Sequence, residues 1–163
     1  MDELKAQIRV AFPASPYYGP ITECTCDECT DIKEGLRYKR WDELPARFIE
    51  WTFNTSLISA EAFREFIPAY LLYALDDLDR KTPVLDYIIY DLCPYVDEDD
   101  KPPKQADIDK DLLRGRKRAK GISREQVQAV RAFLEFVRDN ASEHECLTPH
   151  IDCALEKVWI DTV

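Results

Sequence analysis

Residues 24 to 29 read Cys-Thr-Cys-Asp-Glu-Cys, three thiols in six positions of a 163-residue chain that holds six cysteines in all. Thiolates ligate metals and act as redox nucleophiles, so the spacing decides which chemistry the segment could do. Cys26 and Cys29 form a C-x-x-C pair, the usual half of a zinc site. Cys146, His150 and Cys153 offer the other half, because steps of four and three residues align side chains on one helix face. Pro149 falls inside that second segment and interrupts its helix. A redox reading of Cys26 and Cys29 requires a thiol pKa lowered at a helix N-terminus, normally after a strand. No strand precedes the pair, and Asp27 and Glu28 disfavour a further negative charge there. A Cys-His nucleophile built from Cys26 with His144 or His150 has nothing in the sequence to set its distance. Zinc is therefore the one cofactor these residues point to, and no catalytic residue is assigned. The bland alternative for Cys93 and Cys153 is that of small buried apolar residues.

The charge pattern suggests a different class of function. The net charge is −10, which disfavours general nucleic-acid binding, since phosphate recognition needs cations to replace counterions. From Asp76 to Asp111 there are 12 acidic and 5 basic residues, followed from Arg114 to Arg124 by 6 basic residues and no acidic one. Asp97, Glu98, Asp99 and Asp100 form the densest acidic run and are the candidate contacts to a basic protein partner. The basic stretch Arg-Gly-Arg-Lys-Arg-Ala-Lys-Gly at 114–121 is too small beside so acidic a chain to hold nucleic acid at physiological salt. Tyr17, Tyr18 and Tyr38 lie in polar segments and read either as a binding surface or as core-edge residues with wetted hydroxyls.

These groups are positioned by helices. Asp2 caps a first helix with Leu4, Ile8, Ala11 and Phe12 on one stripe, ending at Pro13. Thr25 and Glu28 read as a capping box for residues 26–34, with Gly35 as the stop and the C-x-x-C pair in the first turn. Pro45 suits the start of the next helix, and Trp41 anchors its entry. Ser59 caps the strongest amphipathic segment, where Phe63, Phe66, Ile67, Tyr70, Leu71, Ala74, Leu75 and Leu78 follow three-four spacing. Pro68 inside it predicts a kink or a break. Residues 83–93 are apolar on most faces and predict a central helix. Residues 95–106, rich in charge and proline, read as a mobile acidic loop, followed by a short helix around 107–114. Ser123 and Gln126 form a capping box for a helix over 124–140, and the tail packs Leu155, Val158 and Trp159 inward.

The stretch Cys-Asp-Glu-Cys, the segment "YKRWDELP", the block "LISAEAFREFIPAYLLYAL", then "ISREQVQAVRAFLEFV" and "ALEKVWI" together resemble a bacterial family of unknown function. The resemblance spans most of the chain. It implies a compact helical domain, and it supplies no activity and no catalytic residues. Cys24 and the acidic run depart from the family pattern.

The expected architecture is all-α: one domain over 1–163, a bundle of about six or seven helices with a kinked central helix. The longest apolar run, "FIPAYLLYAL", is about half a membrane span, and no export signal opens the chain, so a cytoplasmic protein without membrane contact is expected. No phosphate-cradling glycine loop or nucleophile elbow is present. The leading functional expectation is a non-enzymatic binding module, such as an acidic immunity or inhibitor protein masking a basic toxin. The alternative is a zinc-binding protein using Cys26, Cys29, Cys146, His150 and Cys153.

Overall fold

A computed structural model describes residues 1–52, 55–78, 82–92, 105–140 and 147–160, with the side chains of 105–108, 110 and 111 excepted. The described residues form eight α-helices and no strand, so the chain is all-α. They group into two compact units, Met1–Ile88 and Ile89–Val163, and the division falls inside one helix.

In the first unit, α1 (Asp2–Ala11) buries Leu4 and Ile8. Its cap is Met1 rather than Asp2, which instead lies in the first turn, where a carboxylate complements the helix dipole. The loop that follows is held by Trp41, whose indole Nε1 donates to Phe12 O at 3.0 Å from a buried position. Helix α2 (Asp27–Leu36) runs two residues past its predicted end, and Gly35 sits within it. The glycine serves packing, not termination. A Cβ there would lie 2.1 Å from Phe48 Cε2 of α3 (Ala46–Trp51). Pro45 precedes α3 as its cap.

Helix α4 (Ala60–Asp76) starts at the predicted cap, with Ser59 Oγ accepting from Ala62 N at 3.1 Å. It continues through Pro68 without a break. Eleven of its seventeen residues are buried, among them Phe63, Phe66 and Leu71, and it packs on α1, on α3 and on the 3₁₀ turn at Trp41–Glu43. Across α3 and α4, Thr52 Oγ1 donates to Phe48 O at 2.7 Å and meets Tyr70 Oη at 2.7 Å, which makes the tyrosine the donor of that second bond.

Helix α5 (Pro83–Leu92) buries Val84, Leu85, Ile88, Ile89 and Leu92 almost completely, as its apolar composition predicts. In the second unit, α6 (Gln105–Ala119) is longer than the expected short helix and includes residues 105 and 106, assigned from sequence to the acidic loop. Its acidic residues cluster toward the N-terminus and Arg116, Lys117 and Arg118 occupy the last turn, so its charge order matches the helix dipole along its length. Helix α7 (Arg124–Asn140) has the predicted capping box: Ser123 N donates to Gln126 Oε1 at 2.9 Å and Gln126 N to Ser123 Oγ at 3.3 Å. Helix α8 (Thr148–Cys153) has Pro149 in its first turn, so the proline opens this helix instead of interrupting it. A π-helical turn, Ala154–Val158, continues from it, and Trp159 behind that turn is buried with Nε1 donating to Leu92 O at 3.0 Å. Among the described residues, no helix is long and apolar enough to cross a membrane.

Candidate metal-thiolate site

The three thiols of residues 24–29 converge by local geometry. Cys26 is the N-cap of α2, in extended conformation at φ −68° and ψ 164°. Extended backbone places residues i and i+2 on one side, which brings Cys24 beside Cys26. Cap and third helical residue are also neighbours, the relation that a capping box uses, and this adds Cys29. The ligand atoms of Cys24, Cys26 and Cys29 all lie within 4.8 Å of one another. Cys24 Sγ is 3.1 Å from Cys26 Sγ and accepts from Cys26 N at 3.4 Å. Thr22 Oγ1 accepts from Cys24 N at 3.1 Å and holds the turn before the helix. The predicted Thr25–Glu28 capping box does not form, and the cap has no side-chain hydrogen bond.

The environments of two of these thiols are opposite. Cys24 is exposed, and the backbone N–H of Cys26 beside its sulfur, then the thiols of Cys26 and Cys29, hold its pKa below the ordinary value. Cys29 is fully buried. The Thr22 hydroxyl acts to lower its pKa, but burial and the neighbouring thiols of Cys26 and Cys24 outweigh it, pushing the thiol up to about 11. The dominant influences are therefore hydrogen bonds and burial. The sequence expectation of a raised thiol pKa holds in direction at Cys29, where burial and the neighbouring thiols are the causes that raise it.

His150 and Cys153 belong to α8 in the second unit, while Cys26 and Cys29 belong to the first. The His150 ring is buried and packs edge-on against Tyr90 at 4.5 Å and 80°. Cys153 is half-buried. Cys93, His144, Cys146 and the acidic run Asp97, Glu98, Asp99 and Asp100 lie outside the described residues. What spacing alone did not single out was Cys24 as a partner of the C-x-x-C pair. The legible signal was the two-residue step from Cys24 to a helix cap.

Beside the cluster, a cavity of about 370 Å³ is lined by Tyr17, Tyr18, Lys33, Arg37 and Tyr38. Tyr38 has a left-handed φ of 63°, packs on Tyr18 at 5.5 Å and lies under the Arg37 guanidinium at 4.6 Å. Of the three tyrosines, Tyr18 and Tyr38 are exposed, whereas Tyr17 packs edge-on against Phe66 at 5.8 Å and anchors the wall.

Residues 11–163 match the family of unknown function DUF6714. The chain belongs to this family. No curated protein and no solved structure matches it. Membership in DUF6714 brings no activity with it, so the chemistry of this chain rests on its own residues.

Proposed function

We propose that this DUF6714 chain is a metal-thiolate protein that binds a soft divalent cation of the zinc class through Cys24, Cys26 and Cys29. The observation that carries this reading is the convergence of the three sulfur ligands within 4.8 Å. Thiolates at about this separation suit a tetrahedral ion with Zn–S bonds of about 2.3 Å, and binding deprotonates each thiol. Three protein ligands leave a fourth position for water, a substrate or a partner's side chain. Closed sites with four protein ligands are structural, so an open, exposed one fits a regulatory, transferring or catalytic metal better. A cytoplasmic setting, where thiols stay reduced, suits the same reading. The test is metal analysis of protein purified without chelator, with cobalt(II) substitution to report thiolate ligation. The expected result is about one equivalent, lost in Cys24→Ser and in Cys29→Ser but kept in Cys153→Ser and His150→Ala. Less than about a tenth of an equivalent in the unaltered protein sinks the reading.

A second reading is an acidic module that docks on a basic protein, in a bacterial host an immunity or inhibitor protein, with Asp97, Glu98, Asp99 and Asp100 steering association. The net charge of −10 favours it. So does the burial of Arg118 in an ion pair with Asp91, which offsets one cation of the basic stretch. Neutralising the four acidic residues should slow capture of a basic partner and flatten its salt dependence; an unchanged on-rate counts against docking through this run.

A further inference from the structure

In the second unit, a cavity of about 440 Å³ opens where the end of α6, the start of α7 and the π-helical turn meet. Arg116, Lys120, Arg124 and Lys157 line it from these three elements, and Val127 and Val158 are the buried parts of its wall. Among the described residues no carboxylate lines it, in a chain where acidic residues outnumber basic ones 32 to 22. The volume falls within the range of small-ligand sites.

The cations are held in place by backbone geometry. Gly121 has a φ of +88°, the left-handed turn that ends α6 and reverses the chain into α7. A Cβ at Gly121 would meet nothing within 4 Å, so the glycine answers to conformation alone. Lys157 lies on the π turn, where Arg131 Nη1 donates to Leu155 O within the turn at 2.9 Å and to Trp159 O just after it at 2.7 Å. Arg116 Nε donates to Lys157 O at 3.3 Å and so lies along the same wall. π turns are frequent at functional sites. Arg116 and Lys120 at the end of α6 and Lys157 in the last turn of the π-helical segment suit the helix dipoles, whereas Arg124 does not. Arg124 is the first residue of α7, where a cation opposes the dipole and an anion offsets that opposition.

We infer that this cavity binds a phosphorylated small molecule bearing two or more phosphate groups. Four cations converging on one concave space match a di- or triphosphate in charge, and the valine side chains can cover a less polar portion of the ligand. An extended nucleic acid is a poorer fit, because its further phosphates would meet the field of a chain with a net charge of −10.

The experiment is calorimetric titration of the full-length protein with inorganic triphosphate at about 150 mM salt. It is repeated with Lys120→Gln/Lys157→Gln and with Lys33→Gln/Arg37→Gln, an equal charge change in the first unit. All four residues are exposed, so both variants should keep the fold. Expected is binding in the micromolar range, weakened at least about tenfold in the first variant and unchanged in the second. No binding at about 1 mM probe, or equal weakening in both variants, overturns the site. Tighter binding of a single-stranded homopolymeric RNA than of triphosphate overturns the small-molecule class in favour of nucleic acid.

Discussion

Arg118 Nη1 donates to both the backbone carbonyl and the carboxylate Oδ1 of Asp91, each at 2.9 Å, with the arginine side chain only 3% exposed. Burial lowers the guanidinium's pKa, and the neighbouring Asp91 opposes that shift. Arg114 Nη2 reaches the same Oδ1 at 3.3 Å. Asp91→Ala strands a buried cation and should cost about 3–5 kcal/mol, whereas Asp91→Leu combined with Arg118→Met should recover most of it. Urea unfolding measures both; a loss under about 1 kcal/mol for the single variant would mean that water reaches the site.

Gly35 and Phe48 make a second packing prediction. Gly35→Ala forces its methyl into the Phe48 ring, so overpacking should cost about 1–3 kcal/mol despite the gain in helix propensity. In a Phe48→Ala background the clash is gone, and the same substitution should stabilise α2 by about 1 kcal/mol. The sign change between backgrounds is what the double-mutant cycle reads; two changes of equal sign would show that the ring simply moves aside.

Ser59 works in two directions. Besides capping α4, its hydroxyl donates to Pro20 O at 2.6 Å, and Ser59 N donates to Ile21 O at 2.7 Å. Ser59→Ala should lower stability by about 1–2 kcal/mol, seen as a reduced urea midpoint with an unchanged slope. Ser59→Asp keeps the cap acceptor but not the donation to Pro20, and should fall between the two.

The thiol environments predict an order of reactivity. In metal-free protein at neutral pH, iodoacetamide should modify exposed Cys24 well before buried Cys29, read by peptide mass spectrometry at short times. Equal rates would mean that the cluster opens faster than it reacts.

The same thiol makes metal binding and stability depend on pH. With its pKa at about 11, Cys29 is protonated at neutral pH, so metal must displace that proton and affinity should fall as pH is lowered. Its folded value lies above the ordinary 9.0, so the fold favours the neutral thiol. That contribution to metal-free stability is complete below pH 9.0 and is lost as pH rises toward about 11. Urea midpoints of the unaltered protein and Cys29→Ser across this interval test it, the serine variant showing the shallower decline.

Local patterns carried much of the fold. Three-four periodicity places α4 and α7, the Ser59 and Ser123–Gln126 caps mark their starts, and Pro45 and Trp41 frame α3, because each depends on residues within a turn or two of one another. The start of α2 falls within a residue of its expected place, although the Thr25–Glu28 capping box that suggested it does not form. Charge misled where helix and loop compositions overlap: α6 reads as loop at its start, yet its acidic-to-basic order suits a helix dipole. The zinc reading took Cys26 and Cys29 by their sequence step, and the fold adds Cys24 to that pair through the turn at Thr22. Only tertiary structure could show that Gly35 faces Phe48, that Arg118 is buried against Asp91, or that Lys157 shares a cavity with Arg116, Lys120 and Arg124. Composition and helical period define which faces are apolar, but these relationships depend on chain segments meeting in space, and packing decides those meetings.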